Sequence, residues 1–484
     1  MLGSFGHLAH FEWLRLTRSR ARLFAIVAFL LCGVYAVASG LDHARSLEST
    51  IAELDERERV QRDEVDGWFA SGRTGPEDRT YIDVSQPRWA DRYALTHSAM
   101  QPEPLAALAI GLSDVRSHWA PVTGTGGAQS FEGSDPATLG NAERLLAGNF
   151  DLAFVLAYLM PLLLLLLVFD VGGLERDLGL TRLVHAQTES PTRWLFLRAV
   201  MPVLVVAALV ALLCLMGGVW TGALSATPGP WLAFTGVGLG YTLVWGALFG
   251  AVLFARKGTA TAALWLVGLW LGFSVVLPAG VRQWVSQDHP PFFAVERFTE
   301  LRAERYEILL DDSEVFEPAF FEARPELRDV EAATDGGTRS ARGRMVQTAA
   351  FHDVVSAALA DVSADEQARE DAVATLDWLN PTYVFQRALC VLAGTESVSY
   401  RDHRAAVLAA VDARLELLIN EQWLGDGLDA DEFARLNELG TRASYGQLPE
   451  GRTYLALSLL AAAALIAGAV VGRVTARRAW RGEG

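Results

Sequence analysis

The sequence predicts a mainly α-helical polytopic membrane protein, with six transmembrane helices carrying two large extracytoplasmic domains. The first of these domains reads as mixed and the second as mostly helical. Three observations lead there. Apolar residues make up 51% of the 484-residue chain and gather into blocks, each about 18–25 residues long, enough to cross a ~30 Å hydrocarbon layer. Every second connection between blocks is basic. Most of the net charge of −16 falls in two long hydrophilic segments.

Residues 1–22 read as a cytoplasmic or interfacial segment. His10-Phe11-Glu12-Trp13-Leu14-Arg15 mixes apolar and basic residues, which suits a short helix at the membrane surface with Phe11 and Trp13 in the interface. The first span covers 23–41. Ala36-Val37-Ala38 before Ser39 looks like a signal-cleavage site, but the apolar run is about 19 residues, long for a signal core, and a basic segment precedes it, so a retained span is expected.

Residues 42–150 form the first extracytoplasmic domain. Residues 48–62 are rich in Glu and Arg with aliphatics at helical spacing, and predict a helix running out of the membrane. The Gly124-Thr125-Gly126-Gly127 loop lacks a following Gly-Lys-Ser/Thr and is not a phosphate loop. The second span covers 151–170, and a cytoplasmic segment covers 171–198. The third, fourth and fifth spans are 199–219, 231–255 and 259–281. Only Arg256-Lys257-Gly258 separates the fourth from the fifth, which requires a tight hairpin. Pro161 and Pro202 should kink the second and third spans. Gly236, Gly238, Gly240, Gly246 and Gly250 permit close helix approach in the fourth.

Residues 282–451 form the second extracytoplasmic domain, read as a compact helical cap. Helices are expected at 298–310, 360–376 and 405–423. Asp312-Ser313 and Thr395-Glu396-Ser397 offer caps, and Asn380-Pro381 should end one helix and begin another. Residues 335–340 read as a mobile loop. The sixth span is 452–472, and 473–484 is a cytoplasmic tail.

Basic flanks fix orientation. Arg15, Arg18, Arg20 and Arg22 precede the first span. Arg176, Arg182, Arg193 and Arg198 lie between the second and third, and Arg256 and Lys257 between the fourth and fifth. Arg473, Arg477, Arg478 and Arg481 follow the sixth. Both termini are therefore expected in the cytoplasm, with both long segments outside. Lys257 is the only lysine, which codon usage in a GC-rich genome explains.

Several function classes are excluded or disfavoured. An acidic chain is a poor nucleic-acid ligand. There is no Gly-x-x-x-x-Gly-Lys-Ser/Thr, no His-Glu-x-x-His and no Gly-x-Ser-x-Gly. No enzyme activity, catalytic residue, bound cofactor or metal is expected in this chain. The nine histidines are scattered, with His289 and His352-Asp353 beside other informative residues. The three cysteines lack metal-ligand spacing. The spans carry almost no ionisable groups, which weighs against ion-coupled pumping; energy would have to come from another subunit.

The strongest signal lies between the second and third spans. Glu175-Arg176-Asp177 should open a short helix, Gly179 allows a turn, Thr181 and Arg182 continue a charged surface, and Pro191 with Arg193 precedes re-entry into the membrane. A charged helix held between two spans is a handle for a cytoplasmic motor.

At these residues the chain resembles the permease subunits of type-2 ABC exporters, which carry Glu-Arg-Glu-x-Gly-Thr, a Leu-rich stretch, Pro-x-x-Arg and then Lys. Glu175, Arg176, Asp177, Gly179, Arg182, Leu183, Pro191 and Arg198 occupy similar places; Leu180 replaces the usual Thr and Arg198 the usual Lys. A narrower resemblance runs through Pro102–Leu108, Gly111-Leu112-Ser113-Asp114, Leu379-Asn380-Pro381, Gly394-Thr395 and Tyr400-Arg401-Asp402-His403. It is to a bacterial branch known as domain of unknown function 3526, six-span permeases with two extracytoplasmic insertions. The resemblance implies a bacterial inner-membrane permease paired with an identical or related permease and docked on separate ATPase subunits that bind ATP and Mg. On that reading Glu175, Arg176, Asp177, Gly179, Thr181, Arg182, Pro191 and Arg193 contact the ATPase. A non-transporting scaffold or sensor that binds an envelope partner is the alternative.

Overall fold

The computed structural model describes residues 2–124, 150–187, 191–255, 258–290, 293–330, 336–376 and 379–448, together with 462 and 466. The expected sixth span and C-terminal tail, Arg256 with Lys257, and most of the Gly124–Gly127 loop lie outside the described residues. What is described is mainly helical, and five of its helices are long and apolar enough to cross a membrane.

The chain opens with α1 (Leu2–Arg18) and α2 (Arg20–Ala70). Ser19 separates them in extended conformation, and its hydroxyl accepts from the Arg22 amide at 3.5 Å, an N-cap. Helix α2 then runs 51 residues without a break. The expected helix at 48–62 is thus the upper part of the first apolar helix. A short α3 (Pro87–Tyr93) follows.

The second apolar helix, α4, is built from Leu152–Phe154, a π-helical turn over Val155–Leu159, and Met160–Val168. Next come α5 (Gly173–Asp177), α6 (Thr181–Gln187), α7 (Pro191–Trp220), α8 (Ala223–Ala226) and α9 (Pro228–Phe254). Helix α10 comprises Thr259–Leu271, a second π turn over Gly272–Val276, and Leu277–Val285. Each π turn sits just before a proline, Pro161 or Pro278. A proline has no N–H to give to the preceding turn, so the ladder widens there. Pro202 lies inside α7, which continues through it.

These helices share one large apolar cluster, in which α7 and α9 pack closely. Small residues set the spacing. An ideal Cβ on Gly246 would lie 3.0 Å from Val203, and one on Gly238 3.3 Å from Val210, whereas Gly236, Gly240 and Gly250 face open space. The glycine face therefore divides, and two of its five members carry the close packing.

The second polar segment contributes α11 (Phe293–Leu310), α12 (Glu317–Ala323), α13 (Gly336–Ala374), α14 (Pro381–Ala393), α15 (Ser397–Leu424) and α16 (Ala430–Glu438). The loop expected at 335–340 is corrected: from Gly336 onward it is the first turns of α13, because two glycines at a helix end cost only fraying while 37 further residues propagate the ladder. Asn380 caps α14 by accepting from the Tyr383 amide at 3.1 Å, and Glu396 caps α15 by accepting from Ser399 at 3.2 Å. Helix α14 packs into the apolar cluster itself. Phe385 stacks on Tyr241 at 4.1 Å and 8°, and the Tyr241 hydroxyl lies 3.0 Å from both Ala157 O and Thr382 Oγ1.

The two polar segments interlock at one end of the bundle. A three-stranded sheet has the order β2 (Trp119–Pro121), β1 (His97–Met100), β3 (Arg442–Ala443). Strand β1 pairs antiparallel with β2 from its own segment and parallel with β3 from the other. We call this the distal end, and the opposite end, where Arg15, Arg22 and Arg198 gather, the basic end.

Candidate functional site

The connection from α4 to α7 begins at the basic end with two turns that need glycine. Gly172 (φ +78°) starts α5 and Gly179 (φ +71°) ends it. The Leu180 amide donates back to Glu175 O at 2.8 Å and the Gly179 amide to Arg176 O at 3.0 Å, a C-terminal cap that closes the short helix. Helix α6 then starts at Thr181.

The structure separates the expected contact residues into two groups. Glu175 turns inward, its carboxylate held by the Arg198 guanidinium at the start of α7. Asp177 turns toward α10 and accepts from the Thr259 amide at 3.1 Å, satisfying an otherwise orphaned N-terminal donor of that helix. Gly173 lies so close that an ideal Cβ would sit 2.9 Å from the Thr259 backbone. Arg176, Gly179, Arg182 and Arg193 are exposed and Thr181 half-buried. Pro191 is the first residue of α7.

The sequence reading places Leu180 and Leu183 in this segment but does not give the exposure of its leucines. Leu174, Leu178, Leu180 and Leu183 are exposed by 39%, 62%, 42% and 53%, interleaved with Arg176, Asp177 and Arg182. The four leucines are visible in the sequence as a near-regular series, and their exposure at a charged turn is the signal. The four leucines and the three charged residues thus form one mixed exposed patch.

Behind the patch runs a chain of alternating charges. Glu175 holds Arg198; Arg198 Nε donates to Glu12 at 2.5 Å; Glu12 is 3.3 Å from Arg15; Arg15 pairs with Asp170; and Asp170 accepts from Arg22 Nη2 at 2.5 Å. Three carboxylates and three guanidiniums thus join α5, α7, α1, the end of α4 and α2. Glu12 and Arg198 are each 2% exposed. Full pairing makes such burial tolerable, since an unpaired charge there would cost several kcal/mol. Trp194 stacks its ring 4.6 Å from the Arg198 guanidinium carbon. Glu175 Oε2 and Asp170 Oδ1 have no hydrogen-bond partner among the described residues.

At the distal end, one group has metal-ligand character among the described residues: Asp55, Glu58 and His97, with donor atoms within 4.8 Å of one another. Arg442 Nη2 stands among them, 2.7 Å from Asp55, 3.3 Å from Glu58 and 3.2 Å from His97 Nδ1. The guanidinium supplies the positive charge a metal would bring. His289 pairs with Asp365 and His352 with Asp412 rather than with its neighbour Asp353. The three cysteines are free thiols.

No protein-family model matches the chain, and a search of curated proteins finds no match.

Proposed function

We propose that the chain is the transmembrane permease subunit of an ATP-driven ABC exporter. It couples ATP hydrolysis by separate cytoplasmic subunits to substrate movement or mechanical work across the membrane. The observation that carries this reading is a two-faced connection between α4 and α7. Its outer face offers Leu178, Leu183, Arg176 and Arg182 to a partner. Its inner face is fastened by Glu175 to α7 and by Asp177 to α10. A push on α5 is therefore delivered to two apolar helices at once.

The basic end is cytoplasmic, as the positive-inside rule requires of Arg15, Arg18, Arg20, Arg22, Arg176, Arg182 and Arg193. Both termini lie there, the polar segments are extracytoplasmic, and residues 452–472 supply a sixth span. ATP and Mg belong to the partner ATPase. The permease works as a pair, with a second copy or a related chain, in a bacterial inner membrane. The sequence resemblance at Glu175–Arg198 and along the distal segments supports the same reading.

The alternative, a non-transporting scaffold or sensor binding an envelope partner, draws support from the interlocked distal unit that both polar segments build. Purification of tagged protein from its own host separates the two. Recovery of a nucleotide-binding ATPase, lost on Leu178→Asp with Arg182→Glu, is the expected result. Recovery of envelope proteins and no ATPase would sink the permease reading in favour of the scaffold.

A further inference from the structure

One helix joins the basic end to the distal unit without interruption. From Arg22, bonded to Asp170, to Trp68 is about 69 Å at 1.5 Å per residue. No proline or non-helical residue interrupts this stretch. Its exposed part is braced by Arg57–Glu53, Arg59–Glu56 and Arg59–Asp63 pairs at three- and four-residue spacing, each of which adds a little helix stability.

Both ends of α2 are anchored. At the base, Arg22 is the last member of the ionic chain that begins at Glu175. At the top, Val65 and Trp68 are buried in a core with Ile82, Val84, Phe433 and Leu436, drawn from both polar segments. Below that core, Asp55 and Glu58 grip Arg442 and His97 of the sheet. Between the anchors, Phe29, Ala36 and Val37 of α2 are buried in the apolar cluster, Tyr35 meets the Phe150 ring at 5.6 Å, and two glycines allow close approach. An ideal Cβ on Gly33 would lie 2.5 Å from Leu213, and one on Gly40 would overlap Ala107 O.

We propose that α2 is a rigid transmission rod. Displacement of α5 by the partner ATPase passes through the Glu175–Arg198–Glu12–Arg15–Asp170–Arg22 chain to the base of α2. The rod then moves the distal unit, delivering part of the work of ATP hydrolysis outside the membrane. Among the described residues Glu175 Oε2 and Asp170 Oδ1 accept no hydrogen bond, so each carboxylate has an oxygen onto which a displaced arginine of the chain can shift. This inference rests on the coupling reading above and adds a destination for the motion.

The test uses the full chain, its three native cysteines replaced, reconstituted in nanodiscs with the ATPase captured from the host. Spin labels at Arg62→Cys on the rod and Ser225→Cys beyond the end of α7, both exposed positions, report their separation by pulsed electron resonance. Nucleotide-free and ATP-vanadate states are compared. A shift of about 2 Å or more is expected, the scale of helix displacements in switching proteins. Ser49→Pro with Thr50→Gly, which hinges the rod above Gly40 and leaves both anchors in place, should abolish the shift while ATP hydrolysis continues. Asp170→Asn, which leaves the rod whole and weakens its base, should diminish it and carries the test if the hinged variant does not fold. An unchanged shift in the hinged or Asp170→Asn variant overturns the rod. So does no shift in the unsubstituted chain with ATPase bound and hydrolysing, a result that leaves the coupling reading intact. Failure to bind any ATPase overturns both.

Discussion

Buried charge is used in opposite ways at the two ends of this molecule. At the distal end Arg414 is fully buried and spends every donor: Asp91 Oδ1 at 2.7 Å, Asp91 O at 2.9 Å, Ala94 O at 2.8 Å, Thr96 Oγ1 at 3.3 Å and Leu436 O at 3.2 Å. A guanidinium has five N–H groups, and all are matched. At the basic end the charges form an open series in which each interior member shares two partners and, among the described residues, Glu175 Oε2 and Asp170 Oδ1 accept no hydrogen bond. A saturated hub has one arrangement. An open series leaves carboxylate oxygens that another pairing could use. On the coupling reading proposed above, the Arg414 hub suits a part that keeps its shape and the open series a part that changes it.

Arg414→Met should break the contrast most severely. It takes from Asp91, 6% exposed, the guanidinium charge that faces it, leaving it the Gly124 amide, and removes a donor from three carbonyls; it should cost about 3–5 kcal/mol, read as an early thermal transition of the distal unit.

Acid should act next, and again on the distal unit. His403 is 5% exposed and neither ring nitrogen has a partner among the described residues. Burial, helped by nearby His118, pushes its pKa down to about 4 from 6.5. The fold favours the neutral ring, so its contribution is complete above pH 6.5 and disappears as pH falls through 4. A shift of this size corresponds to about 3 kcal/mol. His403→Phe should remove this part of the acid sensitivity, visible as a flatter dependence of unfolding midpoint on pH between 6.5 and 4.

Arg198→Met should be milder than Arg414→Met although both guanidiniums are buried. Glu12 keeps Arg15 as a partner, and Glu175, which loses its own, is 18% exposed and can reach water, so the loss should be about 1–3 kcal/mol. Equal costs for the two substitutions would contradict the distinction between hub and series. Asp177→Ala should be smallest, about 0.5–1 kcal/mol, the usual value of a helix-terminal acceptor, measured by denaturant midpoint.

Much of this organisation was legible before the structure. The apolar blocks, the helix at 48–62, the Asn380 cap and the turn at Gly179 all follow from local chemistry, and local chemistry is what a sequence displays. The direction in which Glu175 points was not legible. Its partner lies 23 residues away and the next, Glu12, 186 residues from Arg198, so only the packed helices decide that it faces inward. Arg414 reads in the sequence as one more arginine on a polar helix. Helix α14 is 13 residues long, too short to read as a span, and its place among the apolar helices comes from Tyr241 and the surfaces it meets.

The central claim is that the leucine-rich face of α5 and α6 receives an ATPase while Glu175 and Asp177 hold the spanning helices behind it. The most direct measurement is quantitative mass spectrometry of what co-purifies with the tagged chain, unsubstituted, with Leu178→Asp and Arg182→Glu, and with Arg414→Met. The account predicts a stoichiometric ATPase with the unsubstituted chain, lost with the first substitutions at unchanged thermal stability, and retained with Arg414→Met. An ATPase that survives loss of the leucine face, or none with the unsubstituted chain, would contradict it.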